Sequence, residues 1–196
     1  MKSDFFKEHD YFIDEKVNFF KFGNVYSIFN ETGENIGAIK QQLSFGQKIL
    51  RLLVGKPVLP FKLDIINPDN EVQASISRGW TFFMSKIVVS DSYGSEIATI
   101  KQKFKLFKPT FKIEDPSGTL IAEISGDWKA WSFVIKDNNQ AQIGTINKKW
   151  AGAVKEIFTT ADKYNVHIDP TYKEEKHRVA ILSAAITIDM VLKNQK

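Results

Sequence analysis

One two-part phrase recurs five times along this 196-residue chain and constrains its fold more than any other feature. Each copy is an apolar run ending in Asn or Asp, a short polar turn, and then an apolar residue followed by (Ala or Gly)-x-Ile, with Gln73 standing in once for the apolar residue. The turn-initiating residues are Asn30, Asn67, Asp91, Asp115 and Asp137, and the strands after them open at Ile36, Gln73, Ile97, Ile121 and Ile143. Both markers advance in steps of 37, 24, 24 and 22 residues, so they report a single register.

The connecting pieces are turn chemistry: Asn or Asp to bond its own backbone, Pro to preset φ, and Gly or Asn for a left-handed position. Flanking runs such as Phe111-Lys112-Ile113-Glu114 alternate with period two, so each unit reads as a β-hairpin with one buried face. Five hairpins give ten strands, and Tyr11 to Phe22 and Tyr164 to Ile168 add about two more. In the second strand of each hairpin the inward set is Gly37/Ile39, Ala74/Ile76, Ala98/Ile100, Ala122/Ile124 and Gly144/Ile146. A tiny residue at the same inward place in every copy implies a bulky occupant of the centre; Gly and Ala that merely ease a bulge or twist are the other reading.

The expected occupant is the last segment, a helix over about 171–193. Asp169-Pro170-Thr171 opens it, Thr171 and Glu174 have capping-box spacing, and Glu174 and Arg178 stand at i,i+4. From Val179 to Leu192 it is apolar on nearly all sides, interrupted by Ser183, Thr187 and Asp189. Those 14 residues reach about 21 Å, short of the roughly 30 Å of a bilayer core, so the helix is expected inside the protein. The fold class is therefore mainly β: a closed antiparallel barrel of about 12 strands, residues 1–196 forming one domain around a buried C-terminal hydrophobic helix.

Composition narrows the function classes. Zero Cys removes disulfides, thiolate zinc sites and cysteine nucleophiles. The opening MKSDFFKEHDYF lacks a continuous apolar h-region, which gives the expectation of a cytoplasmic protein, peripheral at most at a membrane. The chain contains no GxSxG, Walker, GxGxxG or HExxH motif, and His9, His167 and His177 fall in separate segments, so no enzyme activity and no cofactor are expected.

A net charge of +4 is a mild basic excess, concentrated in two stretches. Lys101 to Lys112 holds five Lys and no acid in twelve residues, with Lys101, Lys103 and Lys105 on the outward face of a strand and Lys108 beyond. Leu43 to Pro57 is a short amphipathic insertion carrying Lys48 and Arg51. These six cations are the candidate headgroup-binding residues, each gaining about 1 kcal/mol near an anionic leaflet. A solvated ridge that blocks edge pairing, and an insertion that seals a barrel end, are the structural alternatives. Single-stranded nucleic acid is disfavoured because the aromatics alternate away from the lysines.

The run Ile143-Gly144-Thr145-Ile146 with Lys148-Lys149-Trp150, Gly152, Glu156, Phe158-Thr159, Ala161-Asp162 and Tyr164, then Ala184-Ala185 and Ile188-Asp189, resembles the phospholipid scramblase family. The hairpin repeats are similar to the wider group that includes the plant LURP-one-related proteins and the tubby C-terminal domain. That resemblance implies a twelve-stranded barrel around a hydrophobic helix, binding to anionic phospholipid membranes and possible lipid scrambling. It also implies a calcium loop over 160–171, where Asp162 and Asp169 are the remaining candidate ligands. Thr160 and Thr171 stand at ends that are acidic in the family and Lys163 adds a cation, so calcium is expected to bind poorly there. The Cys-rich lipid-attachment segment has no counterpart. A structural or ligand-binding barrel without membrane activity is the alternative function.

Overall fold

The computed structural model describes residues 4–16, 25–42, 60–79, 86–103, 109–148 and 163–193. A 3-10 helix at Asp4–Lys7 precedes β1 (Asp10–Lys16), and β2 (Val25–Phe29) and β3 (Asn35–Gln42) form the first repeat hairpin. The later hairpins are β4 (Phe61–Ile66) with β5 (Val72–Arg78), β6 (Lys86–Asp91) with β7 (Glu96–Lys103), β8 (Thr110–Glu114) with β9 (Leu120–Asp127), and β10 (Ser132–Asp137) with β11 (Gln142–Asn147). Then come β12 (Lys163–Ile168) and one helix, α1 (Glu175–Lys193). Each strand pairs antiparallel with its sequence neighbour, and β1 pairs with β12 to close the barrel. Closure leaves no unpaired edge.

The five repeat turns are built alike. The backbone N–H of Asn30, Asn67, Asp91, Asp115 and Asp137 donates to the carbonyl four residues on, and the residue three on donates back. In each turn the Asn or Asp Oδ1 accepts from that fourth backbone N–H, at 2.9 to 3.0 Å. The returning residue is left-handed: Gly33 (φ 80°), Asn70 (64°), Gly94 (84°), Gly118 (88°) and, in the fifth turn, Gln140 (65°). Gly or Asn is expected at that place, and Gln140 departs from it.

Each repeat hairpin also carries a β-bulge. Ile28 faces Gly37 while Phe29 faces Asn35, which leaves Ile36 as the extra residue, and Gln73, Ile97, Ile121 and Ile143 hold the same place in the others. A bulge turns two consecutive side chains toward one face. Ile97 and Ala98, Ile121 and Ala122, and Ile143 and Gly144 are accordingly buried side by side. At two of the five places the small residue has a local reason. A Cβ on Gly37 would collide with the Ile66 carbonyl and the Phe5 ring, and one on Gly144 with the His167 carbonyl. At the two glycines, the close approach of the neighbouring strand's backbone, β4 at Gly37 and β12 at Gly144, dictates size.

The helix does occupy the barrel. Ala180 to Ile188 have no solvent exposure, and α1 lies against β5, β7, β8, β12 and the 3-10 helix. Ser183, Thr187 and Asp189 are enclosed with it, Thr187 returning its hydroxyl to the Ser183 carbonyl at 2.8 Å.

Its start differs from the expected 171–193. Asp169 Oδ1 accepts from both the Thr171 N–H (2.8 Å) and the Thr171 hydroxyl (2.6 Å), so Thr171 closes a turn and does not cap the helix. The first helical bond runs from Arg178 N–H to the Glu174 carbonyl at 3.0 Å. Arg178 does not pair with Glu174 through its side chain either. Its buried guanidinium donates to the carbonyls of Phe6 (2.8 Å), Tyr172 (3.1 Å) and Glu8, tying the N-terminal lead to the helix. An array of backbone acceptors in a buried place outcompetes a solvated carboxylate one turn away.

Antiparallel order sorts the strand ends into two rims. The five tight turns and the β12-to-α1 connection lie at one, the turn rim. The ends joined by the longer connections, and by the β9–β10 hairpin, lie at the other, the loop rim.

Candidate functional site

The candidate headgroup surface begins on β7, where Ile97, Ala98 and Ile100 are buried and Lys101 and Lys103 are exposed on the outer face. Strand register extends it sideways. Lys86 on β6 stands opposite Lys101, and Lys101 opposite Lys112 on β8, so three lysines form one row across adjacent strands. Like charges so placed repel. Each has a carboxylate beside it: Lys86 with Glu96 at 3.5 Å, Lys101 with Glu114 at 2.5 Å and Lys112 with Glu123 at 3.9 Å. Lys101 keeps half its side-chain surface in water but its charge is already matched, whereas Lys103 has no ion pair among the described residues. Lys48, Arg51, Lys105 and Lys108 lie outside the described residues.

The calcium reading changes at Asp169 and Lys163. Hydrogen bonds from the Thr171 hydroxyl and backbone hold the Asp169 carboxyl below the usual carboxylate range, so its Oδ1 serves a turn. Lys163 is largely buried and reaches across the barrel seam to Asp14 at 3.3 Å. Asp162 lies outside the described residues. Among the described residues no group of three or more His, Asp or Glu is arranged to hold a metal ion.

Two features escape a linear reading. His9, His167 and His177, from three separate segments, all lie at the turn rim. His167 Nδ1 lies 3.1 Å from each Asp10 carboxylate oxygen, and His177 Nδ1 lies 2.9 Å from the Tyr172 hydroxyl. Burial pushes that hydroxyl up to about 12, so it stays protonated and can serve as donor to the ring nitrogen. The first contact ties β12 to β1, and the second holds the segment before α1 to its first turn. At the loop rim, Lys129 Nζ sits 5.9 Å from the Trp128 ring centre and Lys148 Nζ 4.9 Å from that of Trp131. The clue available in sequence was position alone: both lysines fall at strand ends opposite the repeat turns.

Among the described residues no helix is long and apolar enough to cross a membrane.

Comparison with known proteins agrees with this architecture. An Arabidopsis thaliana protein solved by X-ray crystallography superposes with a TM-score of 0.53 over 96% of this chain and 93% of its own, at 9% sequence identity. Human phospholipid scramblase family member 5 is 25% identical over 116 residues, which are 56% of this chain and 42% of the relative, so the chain matches under half of that protein's length. The family profile described as Scramblase matches residues 15–194, and the chain belongs to the scramblase family.

Proposed function

We propose that this protein binds anionic phospholipid surfaces from the cytoplasmic side through its lysine-bearing outer strands, with no covalent chemistry. Family membership supports a lipid-related role, and the observation that carries the reading is β7, which leaves the barrel wall with Lys101 and Lys103 facing solvent and runs on in sequence to Lys105 and Lys108. Charge contact of this kind is screened by salt, over a Debye length of about 8 Å at physiological ionic strength.

Cosedimentation with phosphatidylserine-containing vesicles tests it. Binding is expected at low salt, to weaken at high salt, and to be lost when Lys101, Lys103 and Lys105 are all changed to Glu. Equal binding to neutral vesicles, or none to either kind, would favour a structural or protein-binding barrel.

Movement of lipid between leaflets is the second reading, favoured by the family match. Vesicles carrying a fluorescent lipid reducible only from outside measure it; no acceleration of inner-leaflet loss, with or without calcium, removes scrambling and leaves binding in place.

A further inference from the structure

The repeat turns and the opposite strand ends differ sharply in charge. The five turns, residues 30–34, 67–71, 91–95, 115–119 and 137–141, hold Glu31, Glu34, Asp69, Glu71, Asp91, Asp115 and Asp137 and no Lys, Arg or His. All five lie on one rim. The helix-start segment 169–178 on that rim is balanced, with three acids and three bases. Removing the seven turn acids from a chain of +4 leaves +11 for the remainder.

Among the described residues the loop rim is the more basic of the two. Lys62, Lys86, Lys103, Lys129, Lys148 and Lys163 stand at or near the strand ends of the loop rim, against Asp14, Glu15, Asp64 and Asp127; Lys163 engages Asp14, Lys62 lies 3.9 Å from Asp64 and Lys86 3.5 Å from Glu96. Beside Lys129 is the indole of Trp128, half-buried at the β9–β10 hairpin, whereas Trp131, next to Lys148, is buried in the core against Tyr164 and Phe133. An indole with one apolar face and one polar edge suits the headgroup level of a bilayer.

We infer that the barrel meets anionic bilayers loop rim first, with the acidic turn rim directed away and the β9–β10 hairpin 127–131 at the headgroup level. This rests on the membrane-binding reading above and gives it an orientation. Strands of five to eight residues, tilted as in a barrel, separate the rims by about 15–20 Å, roughly two Debye lengths. In this pose the lysines lie inside the attractive potential and the seven carboxylates lie mostly outside it. In the reverse pose the carboxylates face the lipid.

The absence of Cys permits a direct test. Ala130→Cys at the loop rim and Ser92→Cys at the turn rim, both exposed positions, are each labelled with an environment-sensitive fluorophore and mixed with phosphatidylserine-containing or neutral vesicles. The expected result is a blue shift with emission rising about twofold at position 130, no change at position 92, and neither response with neutral vesicles. Glu31→Lys with Asp69→Lys, exposed places that do not initiate a turn, should make position 92 respond as well.

Cosedimentation of both labelled proteins with a response at 92 alone, at both equally, or at neither overturns the orientation while leaving membrane binding intact. Failure of both to cosediment removes the binding reading and the orientation with it. A response at 130 to single-stranded RNA, with none to vesicles, overturns it too.

Discussion

The two rims of this barrel are made on different principles. At the turn rim five connections repeat one solution, an Asn or Asp that folds its side chain back on the chain and a left-handed residue three places on. At the loop rim the connections differ in length and sequence, and the β9–β10 hairpin closes instead through Asp127 and a left-handed Trp131 (φ 49°). Repetition suits a rim whose task is to set strand register, whereas variation is tolerated where surface chemistry matters more. Changes to the turn-forming residues of the turn rim should therefore move stability and leave vesicle binding alone, and changes to the exposed lysines toward the loop rim should do the reverse.

The largest effect is expected at Arg178, which anchors the turn rim from inside. Arg178→Met keeps the aliphatic stem but leaves the carbonyls of Phe6, Glu8 and Tyr172 without that donor, at a cost of about 3 kcal/mol or more in urea unfolding. A loss under about 1 kcal/mol would mean that water replaces the guanidinium there. Midway between the rims, Ala184→Trp should overpack the barrel centre and destabilise by about 1–3 kcal/mol or more; an unchanged melting temperature contradicts an enclosed α1.

The turns themselves offer a matched pair. Gly118→Val, at φ 88°, should cost about 1–2 kcal/mol, and Gln140→Gly, at φ 65°, should gain up to about 1 kcal/mol. If both substitutions shift the melting temperature in the same direction, the five turns are not equivalent.

Smaller still is the contrast between two lysines of β7. Lys103→Gln should weaken vesicle binding about fivefold, the equivalent of about 1 kcal/mol, and Lys101→Gln less, because Glu114 already offsets the Lys101 charge. Neither should alter the melting temperature appreciably.

The smallest effect concerns acid. The Ser117 hydroxyl and the Thr119 backbone N–H hold the Asp115 carboxyl below its ordinary range. A carboxyl depressed in the folded state contributes stability above its unfolded value and loses it as pH falls through the folded one. Asp115→Asn, the residue type used at positions 30 and 67, should leave neutral stability nearly unchanged and remove that part of the acid dependence, read from melting temperatures between neutral and acid pH.

Much of the architecture was legible because its causes are local. Turn-forming residues at fixed steps, alternation beside them and an all-round apolar helix each act within a few residues, and together they lead to twelve strands and a central helix. The bulges were legible in principle, since Ile121-Ala122 and its counterparts place two apolar residues side by side where strict alternation allows one. The start of α1 was not. Thr171 and Glu174 have capping-box spacing, but Asp169 takes the Thr171 hydroxyl first and Arg178 turns to carbonyls more than 160 positions away in sequence. The candidate surface was legible as a lysine-rich strand and not as a row, because the Lys86 and Lys112 placements depend on register across β6, β7 and β8.

The sequence by itself determined the hairpin unit, its five turns, the inward and outward faces and the enclosure of the last helix, all consequences of periodicity and short-range sterics. Tertiary structure alone decided which charges share a surface. Carboxylates spread from Glu31 to Asp137 meet at one rim, three lysines from three strands share one row, and β1 reaches β12 through Asp14 and Lys163. The physical reason is that electrostatics depends on distance in space, and closing the barrel sets those distances without regard to separation along the chain.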